Sequence, residues 1–254
     1  MLSFERQTKT MQILKQRGSV RISELSELFG VSEMTIRRDF EKLEKQGYLV
    51  RNHGGASLNP QGSIDVTFNI RNQENVSEKD TIARTAASMV KNGDTIMMDA
   101  GTTTTAMARY LENKKDLVVL TNSLTVAQEL NNKVGITVIL TGGNLRGNTL
   151  SLVGSLAEEI IHRFNVNKAF IGTNGISVDQ GLTNANIYES EAKKAMIKIA
   201  SKSIVLADSS KFNKASFNSF SLLNQIDMII TDKYAPRGMV NQLRELGIEV
   251  IIAI

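Results

Sequence analysis

The 254-residue chain contains no cysteine and no tryptophan, and it has only two histidines and two prolines. The absence of cysteine excludes disulfide bonds, thiolate zinc sites, iron–sulfur clusters and cysteine nucleophiles. The two histidines, His53 and His162, lie far apart in the sequence, which argues against a histidine-based zinc site. We therefore expect a protein that uses no metal and no other cofactor.

Long apolar segments are also missing. No run approaches the roughly 18 residues of a transmembrane helix, and the first residues, MLSFERQTKTMQ, lack the apolar core of a secretion signal. Hydrophobic residues make up 41% of the chain and charged residues 22%, which are ordinary globular values and exclude a wholly disordered or fibrous chain. The expected location is the cytoplasm, with no membrane partner.

The net charge of +4 is unevenly distributed along the chain. Residues 1–55 contain ten Lys and Arg against seven Asp and Glu, whereas the remaining residues contain 20 against 19. The excess of positive charge therefore belongs to a small N-terminal region, and this region is the one expected to meet a polyanion.

The hydrophobic periodicity changes along the chain as well. Helical spacing up to about residue 47 is followed, from about residue 95, by short β-rich runs that alternate with helical segments. The polar segment between them contains Pro60 and Gly62 and indicates a linker with a short strand at 66–70. We therefore predict a first domain at 3–58, a linker at 59–76 and a second domain at 77–254.

The first domain is predicted to contain three helices, over about 4–17, 23–29 and 33–46. A three-residue turn, Gly30-Val31-Ser32, separates the second helix from the third. Gly30 can adopt the positive φ that a helix end needs, and Ser32 can cap the next helix. A short turn between two helices predicts a helix-turn-helix over about 20–39.

The third helix combines an apolar stripe, formed by Ile36, Phe40 and Leu43, with a polar and cationic face. Arginine can pair bidentately with guanine, threonine can meet a base edge, and a capped helix N-terminus can contact a phosphate. The β-like run after Gly47, with its Gly-Gly pair and basic flanks, predicts a wing that contacts DNA. The predicted DNA-binding residues are Ser32, Met34, Thr35, Arg37, Arg38, Arg51 and His53.

Plainer interpretations exist for several of these residues. Any small three-helix domain has surface arginines, so the pair Arg37-Arg38 is by itself a weak indication of DNA binding. Asp39 is expected to form a local ion pair with Arg37 or Arg38. His53 is expected to be a hairpin residue first and a phosphate contact second.

The second domain is predicted to be a doubly wound, mostly parallel α/β sheet. Val/Ile/Leu/Met runs without alternation indicate strands covered on both faces, and helical segments lie between them. The predicted strands are 95–100, 117–121, 136–141, 168–172, 203–207, 228–231 and 250–254, and the predicted helices are 80–90, 105–111, 124–130, 155–164, 188–200 and 236–246.

Ligands of such a sheet bind beyond the carboxyl ends of the strands, where this chain places hydroxyl, amide and glycine residues. The backbone amides and hydroxyls of the Gly101–Thr104 loop can hold a phosphate, and Lys211 can pair with it. The predicted effector-binding residues are Asp99, Gly101, Thr102, Thr103, Thr104, Thr121, Asn122, Ser123, Gly142, Gly143, Gly172, Asn174, Gly175, Glu189 and Lys211. Together they indicate a pocket for a phosphorylated sugar.

Two alternatives stand beside this interpretation. Gly, Thr, Asn and Ser are ordinary loop residues, and the absence of GxGxxG and Walker A motifs gives no support for a nucleotide cofactor. An isomerase or deaminase acting on sugar phosphates is the alternative from another class, with Asp99, Asp208 and Glu189 as candidate acid–base groups. The strand-end loops contain no histidine and no compelling carboxylate pair, so we assign no catalytic residue and expect a protein that is not an enzyme.

The segment GSVRISELSELFGVSEMTIRRDFEKLEKQGYLVRNHGGA, residues 18–56, resembles the winged helix-turn-helix of the DeoR family of bacterial sugar-operon regulators. Its VS-x-x-TIRRD run and R-x-HGGA wing are specific in combination, although Phe40 stands where the family usually has Leu. The runs KDTIARTAASMVKNGDTIMMDAGTTTTAMA, VVLTNS, ILTGG and VLADSSKF are similar to the sensor domain of that family, which is related to ribose-5-phosphate isomerase and glucosamine-6-phosphate deaminase. Asn184 departs from the family's frequent GLTT run.

The resemblance implies a transcriptional regulator, most often a repressor of a sugar or polyol utilisation operon, that is relieved by a phosphorylated sugar or polyol effector. Its partners are then double-stranded operator DNA and that effector. We also expect a homo-oligomer, a dimer or a tetramer, because one winged domain buries little DNA surface and a two-fold pair reads two half-sites. Activation instead of repression would depend on the operator position, which the protein sequence does not contain.

Overall fold

The computed structural model describes residues 2–45, 49–58 and 68–254. The chain divides into two compact units, Met1–Val66 and Thr67–Ile254. The residues predicted to open the wing, 47 and 48, and the first half of the predicted linker, 59–67, lie outside the described part.

The first unit contains the predicted helices and wing. Its elements are α1 (Ser3–Arg17), β1 (Ser19–Arg21), α2 (Ile22–Phe29), α3 (Glu33–Lys45), β2 (Leu49–Asn52) and β3 (Gly55–Leu58). The three strands form an antiparallel sheet in the order β1-β3-β2. Gly30 has a φ of 62° and ends α2 in the left-handed region, as the turn chemistry predicts. The α2–α3 turn is therefore a helix-turn-helix.

A buried ion pair fixes α3 against α1. Asp39 is 2% exposed and accepts a hydrogen bond from Arg6 Nε at 2.5 Å, and Ser3 Oγ and Gln7 Nε2 also donate to it, at 3.0 and 2.9 Å. The expectation of a local pair between Asp39 and Arg37 or Arg38 is wrong, because Asp39 faces α1 across the core while both arginines point outward. The pair orients the polar face of α3 toward solvent.

The second unit is the predicted α/β domain, and all of its predicted strands are present. Its elements are α4 (Phe68–Gln73), α5 (Val76–Ser88), β4 (Thr95–Met98), α6 (Thr102–Ala108), β5 (Leu117–Thr121), α7 (Leu124–Leu130), β6 (Ile136–Leu140), β7 (Asn144–Arg146), β8 (Ser151–Val153), α8 (Ser155–Ile161), β9 (Lys168–Gly172), β10 (Gly175–Ser177), β11 (Gly181–Asn184), α9 (Ile187–Lys198), β12 (Ser203–Leu206), β13 (Asn218–Ser221), β14 (Met228–Thr231), α10 (Arg237–Glu245) and β15 (Glu249–Ile252). None of the described helices is long and apolar enough to cross a bilayer.

Seven strands form one parallel sheet in the order β15-β14-β12-β9-β4-β5-β6. Alternate residues of each strand enter opposite hydrophobic clusters: Met97 belongs to one cluster, and its neighbours Ile96 and Met98 belong to the other. Burial on both faces explains why the strand sequences show no polar alternation. The doubly wound sheet predicted from the sequence is thus confirmed.

The strand order reverses between β4 and β9, which are neighbours in the sheet although β5 and β6 lie between them in the chain. After β4 the chain winds toward one edge, and after β9 it winds toward the other. The crossover connections therefore diverge at the carboxyl ends of this strand pair and leave a crevice there. The residues that follow β4 and β9 are placed at its centre.

Residues around the sheet differ from the sequence expectations in two places. The last part of the predicted linker is helical, since α4 begins at Phe68 and buries Phe68 and Ile70; a strand at 66–70 does not form over its described residues. The segments 144–153 and 175–184, to which the sequence analysis assigned no strand or helix, contain short antiparallel strands, which pair as β7–β8 and as β10–β11–β13.

The buried pair between Arg6 and Asp39 leads to a stability prediction. We expect Asp39→Asn to lower the free energy of unfolding of the first unit by roughly 3 kcal/mol, because Arg6 is left buried without its counter-charge. Denaturant unfolding followed by circular dichroism measures this change. Glu27→Gln, at an exposed carboxylate of α2, is the control and is expected to stay within about 0.5 kcal/mol; equal effects of the two substitutions would contradict the assignment.

Candidate functional site

The N-terminal half of α3 presents polar side chains to solvent. Ser32 Oγ accepts a hydrogen bond from the backbone N–H of Thr35 at 3.3 Å and lies 3.0 Å from Thr35 Oγ1, so Ser32 caps the helix as its sequence position predicts. Met34 is 59% exposed. Ser32, Met34 and Thr35 thus line the outer side of the first turn, where a helix-turn-helix reads base edges.

The two arginines of α3 are both exposed but differ in their surroundings. Arg37 Nη2 lies 3.6 Å from Glu33 Oε2, one turn earlier, in a solvent-exposed pair. Arg38 has no ion pair among the described residues. An exposed i,i+4 pair contributes only about 0.3–0.5 kcal/mol, so Arg37 can leave Glu33 at little cost and both guanidinium groups are accessible to DNA. Arg38 can contact DNA without breaking an ion pair to another described residue.

The wing is a hairpin of β2 and β3 with His53 and Gly54 at its turn. His53 is exposed at the tip, as predicted for a contact residue. Arg51 has a different environment: its Nε lies 2.7 Å from Glu44 Oε2, its Nη1 lies 3.3 Å from Glu41 Oε1, and its backbone N–H also donates to Glu44. These bonds lower the pKa of Glu44. Arg51 therefore ties the wing to the C-terminal half of α3, and its predicted DNA contact would require it to leave both carboxylates.

The crevice at the switch point of the sheet is organised by Asp99, which follows β4 and is 1% exposed. Its Oδ1 accepts hydrogen bonds from Gly101 N at 3.1 Å and Thr104 Oγ1 at 2.8 Å. Its Oδ2 accepts from Gly172 N at 2.9 Å, at the end of β9, and forms an ion pair with Lys193 of α9. Lys193 Nζ also donates to the carbonyl of Gly172 at 2.8 Å. One carboxylate thus joins β4, α6, β9 and α9.

An open cleft lies over this point and is called the main cleft here. Four cationic side chains line it: Arg71 from α4, Lys79 from α5, Lys193 from α9 and Lys211 from the segment after β12. Its other lining residues are Ala100, Gly101, Thr102, Thr103, Gly172, Thr173, Asn174, Asn184, Glu189, Leu206, Ala207 and Asp208. The backbone N–H groups of Thr102 and Thr103, at the start of α6, have no acceptor within the helix. The cleft can therefore hold an anion.

Lys79 is an unusual member of this group, because it is only 5% exposed and buried lysines are rare. Its Nζ donates to the carbonyl oxygens of Arg71 and Glu74. Burial lowers the pKa of Lys79 to about 8, against the opposing attraction of Asp208; Lys211 and Arg71 lower it further and Glu74 raises it. An anion in the cleft would favour the charged form.

The carboxylates of the main cleft are held ionised by neighbouring donors. Burial alone raises the pKa of Glu189, but the hydrogen bond from Thr149 and the positive charges around the group outweigh it and lower that pKa. Arg146 Nη1 lies 2.9 Å from Glu189 Oε1. Likewise, burial raises the pKa of Asp208, and Lys211, 3.9 Å away, and Ser210 lower it. The negative charges are thus matched within the fold, and the cleft favours an anionic ligand.

A second, smaller cleft adjoins the first and shares Ala100, Glu189 and Lys193 with it. Its other lining residues are Asp99, Asn122, Ser151 and Met196. Asn122 is 3% exposed; its Nδ2 donates to the carbonyl of Leu152, but its Oδ1 has no hydrogen-bond partner among the described residues. A buried acceptor without a partner is costly, so a hydroxyl donor in the second cleft would be stabilised there.

The structure brings part of the predicted effector set to these clefts. The main cleft is lined by Gly101, Thr102, Thr103, Gly172, Asn174, Glu189 and Lys211, and the second cleft by Asp99, Asn122 and Glu189. The threonines lie in the first turn of α6, not in a loop before it: the helix begins after Gly101, whose backbone N–H donates to Thr104 Oγ1 at 2.9 Å.

Other predicted residues do not line either cleft; they form hydrogen bonds or close packing contacts next to it. Thr104 bonds to Asp99, Thr121 Oγ1 donates to the Met98 carbonyl at 2.7 Å, and Ser123 Oγ caps α7 by accepting from Val126 N at 3.1 Å. Gly175 lies in β10, where a Cβ would lie 2.4 Å from the carbonyl oxygen of Lys214. These positions are fixed by packing around the site.

Gly142 and Gly143 lie after β6, the edge strand farthest from the switch point on that side of the sheet. Gly143 has a φ of 106°, and a Cβ there would lie 2.7 Å from the carbonyl oxygen of Val153. The close approach that Gly143 permits is thus to β8 and not to a ligand in the cleft, whereas a Cβ at Gly142 would have no atom within 4 Å. Strand order, which the sequence does not reveal, decides this difference.

Three cationic residues of the main cleft escaped the sequence analysis: Arg71, Lys79 and Lys193. They lie within helices, whereas the sequence analysis looked for ligand-binding residues only at the carboxyl ends of the predicted strands. A pattern did exist for Lys193, which follows Glu189 by four residues and therefore shares its face of α9. Nothing comparable marks Arg71 or Lys79, since α4 and α5 precede the first strand of the sheet.

Comparison with protein families gives two matches. Residues 6–61 match the DeoR-like helix-turn-helix domain, and residues 74–233 match the DeoR C terminal sensor domain. The two matches cover the helix-turn-helix with its wing and the residues that form both clefts, except Arg71, which lies between the two matches.

Curated relatives match over nearly the whole chain. The HTH-type transcriptional regulator YulB of Bacillus subtilis is 42% identical over 98% of this chain and 96% of its own length. The HTH-type transcriptional repressor GlcR of the same organism is 36% identical, over 99% and 97%. The glycerol-3-phosphate regulon repressor of Escherichia coli is 32% identical, over 98% and 99%.

Among solved structures, ribose 5-phosphate isomerase A from Methanocaldococcus jannaschii overlaps with 55% of each chain at 17% identity and a TM-score of 0.39. Likeness at this level carries no information about activity.

The exposed face of α3 leads to a prediction about DNA. Arg38→Ala is expected to cost about 1–3 kcal/mol in binding to a specific duplex, because it removes a guanidinium suited to a base edge. Fluorescence anisotropy with a specific duplex and a scrambled one measures the loss. Lys42→Ala, at an exposed cation further along the same helix, is the control. An equal loss on both duplexes would show that Arg38 contacts phosphate only.

Lys79 leads to a prediction about pH. Because an amine with a pKa of about 8 loses its charge as the pH rises, the affinity for a phosphate monoester such as glycerol 3-phosphate should fall on the order of tenfold between about pH 8 and about pH 9.5. The second ionisation of the ester lies near pH 6, so its own charge stays constant. Calorimetric titration measures this affinity, and Lys79→Gln is expected to bind weakly without this dependence. A wild-type affinity that is flat over this range would contradict the role of Lys79.

Proposed function

The chain belongs to the DeoR family of transcriptional regulators, and from that premise we propose that it represses an operon for the use of a sugar or polyol. In this proposal residues 3–58 bind operator DNA, residues 77–254 together with Arg71 of α4 bind a phosphorylated sugar or polyol, and the other residues of 59–76 connect the two. Because operator DNA is its target, the regulator acts in the cytoplasm. The observation that carries the effector assignment is the cationic cleft at the switch point of the parallel sheet.

The phosphate end of the effector is assigned to the main cleft. Arg71, Lys79 and Lys211 line it together with the first amides of α6. Charge-assisted hydrogen bonds from such groups are about twice as strong as neutral ones. Two of the carboxylates nearby are already neutralised, Asp99 by Lys193 and Glu189 by Arg146, so these two do not repel the phosphate at full strength.

The hydroxyl end is assigned to the second cleft. Asn122 Oδ1 offers a buried acceptor that has no partner among the described residues, and Ser151 and Glu189 line the same cleft. Because the two clefts share Ala100, Glu189 and Lys193, one molecule with a phosphate at one end and hydroxyls at the other would engage both. A bare phosphate ion would leave the second cleft unfilled and is expected to bind more weakly.

The protein is proposed to act as a homo-oligomer, a dimer or a tetramer. A single winged domain covers one half-site, and two-fold pairing places two recognition helices about one helical turn apart. Effector binding then relieves repression if the effector favours an arrangement of the oligomer that fits the operator less well.

The alternative of a sugar-phosphate isomerase or deaminase receives less support from the site. General acid–base catalysis needs a group placed to accept or donate a proton, whereas Asp99 and Glu189 each accept several hydrogen bonds within the fold. The curated relatives described above are regulators, and no catalytic residue is assigned.

The proposal is tested with the full-length protein, a DNA duplex and a panel of phosphate compounds. Selection from a random duplex library provides the operator sequence, and a thermal-shift panel of glycerol 3-phosphate, glucose 6-phosphate, fructose 1-phosphate, ribose 5-phosphate and inorganic phosphate tests the effector class. A ligand present at a hundredfold its Kd raises the stability by about 2.7 kcal/mol. The panel member with the largest shift is then expected to release the selected duplex; a panel without any shift would contradict the phosphorylated effector.

A substitution separates the two activities. Lys211→Ala is expected to weaken effector-dependent release at least about tenfold, because a phosphate partner is lost, while the operator affinity without effector stays unchanged. Lys214→Ala, at an exposed lysine of the same segment outside both clefts, is the matched control. Loss of operator binding by Lys211→Ala would show that Lys211 is structural.

A further inference from the structure

The turn between α4 and α5 is held from the side of the main cleft by two side chains. Lys79 Nζ donates to the carbonyl oxygens of Arg71 and Glu74. Asn75 Nδ2 donates to Asp208 Oδ1 at 3.0 Å and to Ser210 Oγ at 3.3 Å. Lys79 and Asp208 both line the main cleft, so the backbone of the turn is tied to the wall of the ligand site.

Both ties are made by groups in strained or costly positions. Asn75 has a φ of 48°, in the left-handed region that favours glycine. Lys79 keeps its ammonium group almost fully buried at the C-terminal end of α4, where carbonyl oxygens have no partner within the helix. The fold thus uses a buried cation in the ligand site to satisfy the end of α4.

We propose that Lys79 is the residue through which the effector acts on α4: the effector's phosphate competes with the carbonyl oxygens of Arg71 and Glu74 for the Lys79 ammonium, and the turn at 71–75 changes its conformation. This inference rests on the proposed function, since it concerns what the phosphate does in that same cleft.

The competition follows from the strengths of the bonds. Two of the three donors of the Lys79 ammonium go to the carbonyl oxygens of Arg71 and Glu74. A phosphate that takes the third donor draws the ammonium away from these carbonyl oxygens, because its bonds to charged phosphate oxygens are stronger than those to neutral carbonyl oxygens. Arg71 contributes to both sides, because its side chain lines the cleft while its carbonyl accepts from Lys79. An anion that attracts the side chains of Arg71 and Lys79 therefore affects the turn in two ways, through the Arg71 side chain and through the bond from Lys79 to the Arg71 carbonyl.

The position of α4 in the chain gives this change a consequence. α4 is the first described element of the second unit, and the chain leads from it toward the DNA-binding unit. A shift of α4 that accompanies effector binding changes the constraint on that connection. By linkage, the effector and the operator then alter each other's affinity by the same factor.

Asn75 allows coupling to be separated from binding, because it holds the turn but does not line the cleft. Asn75→Gly removes the amide and keeps a residue suited to the left-handed region. The matched control is Asp116→Gly, which also replaces a residue with a left-handed φ, 54°, and lies before β5 at the amino end of the sheet.

The first measurement compares operator affinity with and without the probe, which is the phosphate ester of the panel with the largest thermal shift. We expect Asn75→Gly to bind the probe within about threefold of the wild type, while the ratio of the two operator affinities falls at least about tenfold. Asp116→Gly should match the wild type in both quantities. A wild-type ratio in Asn75→Gly would overturn the inference and leave the proposed function intact.

The second measurement is hydrogen exchange of the full-length protein. Addition of the probe should raise the exchange of amides in the segment 71–79 by at least about threefold in the wild type, because the turn gives up its bonds to Lys79. Lys79→Gln, compared at probe concentrations that give equal occupancy, should show no such change. Unchanged exchange in the wild type at saturating probe would overturn the inference. If neither a phosphate ester nor inorganic phosphate binds at all, the proposed function fails and the inference fails with it.

Discussion

The second unit depends on one buried carboxylate, that of Asp99. The parallel sheet reverses its winding between β4 and β9, and this reversal leaves backbone amides and a polar crevice where the strands end. Asp99 satisfies the amides of Gly101 and Gly172 and pairs with Lys193. A charge buried to this extent is tolerable only when it is paired and hydrogen-bonded. The pair therefore fixes α9 over the switch point and, with α9, the position of Glu189.

The electrostatic character of the cleft follows from this arrangement. Each of its carboxylates already has partners in the fold: Lys193 for Asp99, Arg146 for Glu189, and Asn75 with Ser210 for Asp208. Arg71 and Lys79 add positive charge from α4 and α5, which precede the first strand of the parallel sheet. The second domain is nearly neutral in sequence, yet it forms a local site for an anion. Asp99 and Glu189 are paired with cations within the fold, while Arg71, Lys79 and Lys211 line the main cleft.

The first unit uses its acidic residues in a similar way. Asp39 forms an ion pair with Arg6 within the core, and Glu41 and Glu44 form ion pairs with Arg51 of the wing. The N-terminal half of α3 consequently faces solvent with Arg37 and Arg38 and few competing carboxylates. The same ion pairs also set the position of α3 against α1 and of the wing against α3, so the shape of the DNA-binding face and its charge have a common origin.

Sequence patterns alone predict the seven strands of the parallel sheet, most helices and the turn of the helix-turn-helix, because these are local: uninterrupted apolar runs, helical periodicity and Gly30-Val31-Ser32 need no distant partner. They also mark the residues after β4 and β9. Tertiary structure alone decided which strand ends meet. It placed Gly142 and Gly143 at the sheet edge, turned Asp39 inward to Arg6, and brought Arg71, Lys79 and Lys193 to the cleft. Strand order and helix packing depend on contacts between residues far apart in sequence, and no local pattern carries that information.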